Sequence, residues 1–192
     1  MSVTMPVQAV EDAALIRRSW REPEQFAAVF DRHYDGIHAY ADRRLGRSLA
    51  DDVAAETFLI AFDKREQYDV SRADARPWLF GIASNLIARH HRAEVRQYRA
   101  LARTGAEEPG EDHADRVASS LDAAAHRKRL AAALAGLSGA DRDVLLLVAW
   151  AELTSEEAGR ALGIPAGTAR SRLHRARKRI QAALGRSDDE RS

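Results

Sequence analysis

Residues 154–180 read TSEEAGRALGIPAGTARSRLHRARKRI, two helices joined by a tight turn, the second strongly basic. Thr154 with Glu157 three positions on is a capping box, so a helix should begin at Ser155. Ala158, Ala161 and Leu162 give it a narrow apolar face. Gly163 can adopt the left-handed conformation that closes it, Ile164 turns back toward the core, and Pro165 sits where a new helix starts. From Ala166 the apolar positions are Ala169, Leu173, Ala176 and Ile180, at spacings of three and four. Arg170, Ser171, Arg172, His174, Arg175, Arg177 and Lys178 occupy the remaining surface. The run 168–179, opening at Thr168, holds six Arg or Lys and no acid. A basic helix that merely faces water is the plain alternative. The capping box, the glycine turn and the one-sided charge agree instead on a helix-turn-helix. Its second helix suits the DNA major groove, with arginines for phosphates or guanine edges.

The rest of the chain sets bounds on that reading. At 192 residues there is room for one large or two small domains. The net charge of +1 hides an uneven distribution. With no cysteine, disulfides and thiolate metal sites are excluded, which suits a reducing cytoplasm. No run of about 18 apolar residues exists, so no membrane span is expected, and the first residues lack the pattern of a signal peptide.

Residues 1–21 read as a loosely held N-terminal segment, with a short helix possible from Val10. From Pro23 the residues Phe26, Val29, Phe30, Tyr34, Ile37, Tyr40, Ala41 and Leu45 trace one helical apolar face. Gly46 ends that helix and Ser48 is the expected cap of the next. The second helix carries Asp51, Asp52, Val53, Glu56, Phe58, Leu59 and Phe62. A polar turn, QYDVSRADAR over 67–76, precedes a third helix opened by Pro77 and running to residue 101. Its first half is apolar and its second half basic, with Arg89, Arg92, Arg96 and Arg99. Residues 102–125 change character: the stretch 104–125 holds six acids against one arginine, and reads as a flexible linker. Four helices are expected over 126–186, with Ser138 and Asp141 at the start of the second, and 187–192 is a polar tail. No alternating strand pattern exists. The expected fold is all-α: two small helical domains joined by a flexible linker.

On these residues the chain resembles the extracytoplasmic-function sigma factors of bacterial RNA polymerase, members of the sigma-70 family. PWLFGIASNLIARHHR, from Pro77, resembles their promoter-melting helix. DDVAAETFLIAF, from Asp51, is similar to their polymerase-binding helix, and GIPAGTARSRLHRARKRI, from Gly163, to their recognition helix. The three segments fall in the family's order, with a linker between the second and third helical groups. The resemblance implies a region 2 domain over 22–101 that binds the clamp of the largest polymerase subunit and opens the minus-10 element. It implies a region 4 domain over 126–186 that reads the minus-35 element and rests on the flap of the neighbouring subunit.

By that resemblance Asp52, Glu56, Phe58 and Phe62 face the polymerase. Asn85 holds a flipped base of the non-template strand, for which an amide offers both donor and acceptor. Arg89, Arg92 and Arg96 follow the backbone upstream, and the loop near 68–75 matches the one that varies with promoter choice. Thr168, Arg170, Ser171, Arg172, His174, Arg175 and Lys178 face the minus-35 duplex. The family commonly has Gln where this chain has Ala55, just before Glu56. Trp78 and Phe80 are aromatic enough to stack on bases, but their helical spacing among Leu79 and Ile82 favours the core for Trp78. Adjacent His90 and His91 point about 100° apart among arginines and make no metal site. No catalytic residues, metal or cofactor are expected, since the polymerase supplies the chemistry. An anti-sigma factor is a possible further partner, and the expected location is the cytoplasm, on the nucleoid when polymerase-bound. A helix-turn-helix regulator independent of core polymerase is the alternative, but it leaves 77–101 without a role. A purely protein-binding adaptor leaves the cationic last helix without one.

Overall fold

The computed structural model describes residues 11–104 and 114–185. Among them every regular element is helical: α1 (Asp12–Arg18), α2 (Ala27–Leu45), α3 (Arg47–Asp63), α4 (Arg76–Arg89), α5 (His91–Thr104), α6 (Ala114–Gly136), α7 (Gly139–Ala149), α8 (Ser155–Ala161) and α9 (Ala166–Gly185), with 3-10 turns at Pro23–Phe26 and Arg65–Gln67. The expected all-α class holds. Helices α2, α3 and α4 pack on one another, α5 packs on α6, and α7, α8 and α9 form the second group.

The expected caps largely hold. Gly46, at φ 82°, separates α2 from α3. Ser138 accepts the Asp141 N–H at the start of α7, at 3.2 Å. Ser48 does not cap α3, because the helix already begins at Arg47. The single helix expected over 77–101 is two helices. At His90 the backbone N–H bonds back to Ile87 instead of continuing the α ladder. The break re-aims α5 so that Glu94 and Tyr98 turn inward, each about 1% exposed.

Residues 1–10 of the N-terminal segment lie outside the described residues, but from residue 11 on it is firmer than its sequence suggested. Helix α1 buries Leu15 and Ile16 completely or nearly so. Asp12 accepts the Ala75 N–H at 3.0 Å and the His33 ring at 2.7 Å, and it pairs with Arg32. Burial opposes its ionisation, but these partners outweigh it and hold the carboxyl below its usual range. One buried carboxylate thus ties α1 to α2 and to the start of α4.

The residues read as a flexible linker over 102–125 are helical at both ends, since α5 reaches Thr104 and α6 starts at Ala114. Residues 105–113 and the tail lie outside the described residues. The two halves also share a core. Leu134, Leu137, Leu146, Leu147, Leu153 and Ala158 belong to the same buried cluster as Ile37, Tyr40, Leu79 and Ile87. Fully burying one such side chain contributes roughly 1.5–3 kcal/mol. Between the halves this core encloses a cluster of buried charges. Arg44 of α2, 1% exposed, donates to Glu94 of α5 at 2.6 Å, to the Tyr40 hydroxyl at 2.8 Å and to Asp143 of α7 at 2.5 Å. Arg142 of α7, with no exposed surface, meets Glu94 at 3.2 Å.

Candidate nucleic-acid interface

The helix-turn-helix is built as its sequence predicts. The Thr154 N–H and hydroxyl each donate to Glu157 at 2.8 Å, and the Glu157 N–H returns to the Thr154 hydroxyl at 3.2 Å. Those bonds hold the Glu157 carboxyl below its usual range. Gly163 takes φ 64° at the turn. Gly159 lies so close to the turn that an added Cβ would stand 3.1 Å from the Ile164 carbonyl oxygen. Ala169, Leu173 and Ala176 bury the inner row of α9 against α7 and α8.

That packing turns Arg170, Ser171, His174, Arg175 and Lys178 outward, all exposed, while Thr168 and Arg172 are half-buried. The Ser171 hydroxyl donates to the Thr168 carbonyl at 2.9 Å and keeps its lone pairs for an outside donor. Arg175 meets Asp141 at 2.8 Å. Burial opposes ionisation of Asp141, but Arg175 and Ser138 outweigh it and keep the carboxyl low. The pair fixes the Arg175 side chain at the rim of the helix rather than leaving it free.

The second candidate surface lies on α4. Pro77, Trp78, Gly81, Ile82 and Asn85 form one wall of a groove of about 510 Å³. Asn85 is exposed at its edge. Trp78, expected in the core, is only half-buried and lines the groove, with its ring 4.9 Å from that of Tyr68. The Tyr68 hydroxyl donates its one proton to the Arg72 carbonyl at 2.7 Å, with the Asp74 carbonyl at 3.1 Å sharing it, and so holds the 68–75 loop against the groove. Asp69 knits the same loop through the Ser71 hydroxyl and Arg72. Phe80 is 6% exposed, packed edge-on against Tyr40, and is core.

Arg89, Arg92 and Arg96 are exposed. Arg89 pairs with Glu56 across α3 at 3.2 Å. The sequence reading placed Arg99 in the basic half of this helix without assigning it to DNA, and it did not reach Arg103, two turns beyond Arg96. Arg92, Arg96, Arg99 and Arg103 fall at i, i+4, i+7 and i+11, a single stripe, and all are exposed. Among the described residues none has an ion-pair partner, and the last three line a groove of about 620 Å³ against α6. The spacing alone was the signal that would have added Arg99 and Arg103.

The residues matched to a polymerase face divide. Asp52 and Glu56 are exposed on α3. Phe58 is not available as a surface contact: it is 4% exposed and packed on Phe30, 4.9 Å between rings. Phe62 is half-buried, edge-on to Phe26 at 5.5 Å. Residue 58 shares its helix face with Val53 and Ala54 and so turns into the core. The exposed apolar groups nearby are Leu59, at 62%, and Phe30, at 38%. His90 and His91 bind no common partner, and the described residues contain no cluster of His, Cys, Asp or Glu fit for a metal.

Comparison with known proteins agrees with the geometry. Residues 29–97 match the family described as Sigma-70 region 2, and residues 127–180 the family described as Sigma-70, region 4. The chain is 30% identical over 177 residues to the ECF RNA polymerase sigma factor SigL of Mycobacterium tuberculosis, covering 92% of each. Its fold resembles that of CnrH, solved in complex with the cytosolic domain of CnrY, with a TM-score of 0.61, 25% identity and coverage of 92% of this chain and 98% of that one. It also resembles the sigma factor RpoE of Bartonella quintana, solved with the anti-sigma factor NepR, with a TM-score of 0.58, 24% identity and coverage of 84% and 98%.

Proposed function

The chain belongs to the sigma-70 family as an extracytoplasmic-function sigma factor, and from that premise we propose how its residues divide the work. It is a promoter-recognition factor that acts with core RNA polymerase in transcription initiation. The alternative of a regulator independent of polymerase is not favoured, because it accounts for α9 and leaves the region 2 match at 29–97 without a role.

In our reading region 2 spans 22–101 and region 4 spans 126–186. Asn85 receives a base of the opened non-template strand, with Trp78 and Tyr68 closing the groove beside it. The amide can pair with a base edge while the half-buried Trp78 ring, backed by the buried Tyr68, stacks on its face, and together they replace part of the stacking lost on melting. Arg89, Arg92 and Arg96, extended by Arg99 and Arg103, follow the phosphates just upstream. Thr168, Arg170, Ser171, Arg172, His174, Arg175 and Lys178 meet the minus-35 duplex, with Arg170 reading bases and Lys178 holding phosphate. Asp52 and Glu56 face the polymerase clamp, with Leu59 and Phe30 in place of Phe58 as the apolar contacts. The groove between α6, α7 and α9, lined by Leu130, Leu145, Trp150 and Ile180, is the seat assigned to the flap.

Sigma factors are initiation factors rather than enzymes, and no catalytic step is assigned to this chain. Its work lies in the cytoplasm, with the polymerase on the nucleoid. An anti-sigma factor, the class of protein with which RpoE was solved, is a proposed partner. The observation that carries the assignment of residues is the pairing of an exposed base-edge amide beside an aromatic groove on α4 with a capped, one-sided cationic helix at α9. It is tested by permanganate footprinting of holoenzyme on a promoter: thymines near minus-10 should become reactive with the wild-type chain and lose that reactivity with Asn85→Ala.

A further inference from the structure

We propose that α1 is a splint for the loop at 68–75. It pins the loop at both ends, and Asp12 and Trp20 are positioning residues for the groove in which a minus-10 base is read. The proposal rests on the reading of the Asn85 groove as the base site.

The loop needs such a brace. Residues 69 and 71–74 are exposed, and only the ends, Tyr68 and Ala75, are buried. Tyr68, Asp69, Arg72 and Asp74 nevertheless line the same groove as Trp78 and Asn85 of α4. The bonds within the loop, made by Tyr68 and Asp69, give it a shape but do not fix where it sits. Ordering exposed backbone costs conformational entropy, so a loop that presents side chains to a ligand requires outside anchors.

Helix α1 supplies anchors at both roots. At the far root Asp12 accepts the Ala75 N–H at 3.0 Å, and the Ala13 N–H donates to the Ala73 carbonyl at 3.3 Å. At the near root the Trp20 indole donates to the Arg65 carbonyl at 3.0 Å, and Arg65 Nε donates to the Ser19 carbonyl at 3.2 Å. Arg65 opens the 3-10 turn that leads into Tyr68. A helix of seven residues, roughly 10 Å long, thus bridges the two roots.

The splint is itself held. Ile16 and Ser19 have no exposed surface, and the Ser19 hydroxyl donates to the Ile16 carbonyl at 2.6 Å. One Asp12 oxygen pairs with Arg32, and the other meets both His33 and the Ala75 N–H. Ala75 is the N-cap of α4 and has no capping side chain of its own. Asp12 there, and Asp74 on the Arg76 N–H at 2.8 Å, provide the acceptors and the negative charge that a helix start favours. The point where α4 begins sets where Trp78 stands, one turn on, and Asn85, two turns further. The matched region 2 segment begins at residue 29, so the brace lies ahead of it in the chain.

The test compares holoenzymes formed with the wild type, Asp12→Ala, Asp12→Asn, Trp20→Phe and Val53→Ala. The template is a promoter fragment selected by the wild type from a random library, with its single-base minus-10 and minus-35 variants. Open-complex formation is measured well below the melting temperature of the least stable chain. Asp12→Ala and Trp20→Phe should lower discrimination among minus-10 bases roughly two- to tenfold, the worth of one net hydrogen bond. Discrimination at minus-35 should stay at the wild-type level. Asparagine keeps an acceptor for the Ala75 N–H but offers Arg32 no charge. Asp12→Asn should therefore restore the minus-10 preference although it, too, lowers stability. Val53, 2% exposed on α3, takes no part in these bonds, and Val53→Ala should lose stability while keeping the preference.

Wild-type preference in both Asp12→Ala and Trp20→Phe, a loss that Asp12→Asn does not reverse, or an equal loss in Val53→Ala would each overturn the splint. Asn85→Ala on the same fragment separates the two readings. Opening impaired there, with wild-type preference in the α1 variants, overturns the splint alone. Opening intact there as well overturns the groove reading with it.

Discussion

Arg44 and Asp143 stand 99 positions apart in the chain, and their side chains meet at 2.5 Å beneath the surface. Burial pushes the Asp143 carboxyl upward against the pull of Arg44. Arg44 is itself disfavoured by burial, yet Tyr40, Asp143 and Glu94 hold it firmly charged. A buried cation so enclosed depends on every one of its anions.

Glu94 is the most exacting of these, since it also meets Arg142. Glu94→Ala leaves two buried guanidinium groups short of a counter-charge and should destabilise the chain by about 3–5 kcal/mol. Urea unfolding followed by circular dichroism measures it. A loss below about 1 kcal/mol, the scale of an exposed pair, would mean that water reaches the site.

Asp12 gives a prediction in pH. Its folded pKa is lowered, so its contribution is present above the unfolded value, near 4, and is lost as pH falls through the folded value. Asp12→Asn should therefore melt at a lower temperature than wild type at neutral pH. The gap should close as pH is lowered below about 4. Thermal melts across that range check the sign, and a gap that widens toward acid contradicts it.

Both of these sites lie beyond what the sequence alone discloses, whereas other elements were readable from it. The helix-turn-helix was legible because its signals are local: Thr154 and Glu157 cap over three residues, and Gly163 supplies its own backbone freedom. The all-α class followed from periodicity. The break at His90 was not legible, because it is set by Glu94 turning toward an arginine 50 positions earlier. Asp12 likewise looks like an ordinary first-turn acid until Ala75 and His33 arrive from distant segments. Phe58 was matched by likeness of segment rather than by face, and only packing shows that it points inward. The mutual packing of the two halves has no local signature, since an acidic stretch between them reads as independence.

On α9, reading and anchoring should separate. Arg170→Ala should cost about 1–3 kcal/mol and relax preference at one base position of the minus-35 element. Lys178→Ala should weaken all variants alike and lower the salt slope by about one. Holoenzyme binding to single-base promoter variants at several salt concentrations distinguishes the two. Equal losses across the panel for Arg170→Ala would assign it to phosphate.

On α4, Asn85→Ala should leave holoenzyme assembly and closed-complex affinity nearly unchanged. Open-complex formation should fall by about 1–3 kcal/mol, the loss of one base-specific contact. Normal strand opening by the variant would remove Asn85 from the site.

The most direct test of the central claim is transcription in vitro with purified core polymerase on a library of random promoter fragments, with and without this chain. The account predicts discrete start sites that appear only when the chain is present. It also predicts that the selected fragments share two sequence elements about 25 base pairs apart, the separation of minus-35 from minus-10 on duplex DNA. Identical transcripts with and without the chain, or start sites with no shared upstream elements, would contradict it.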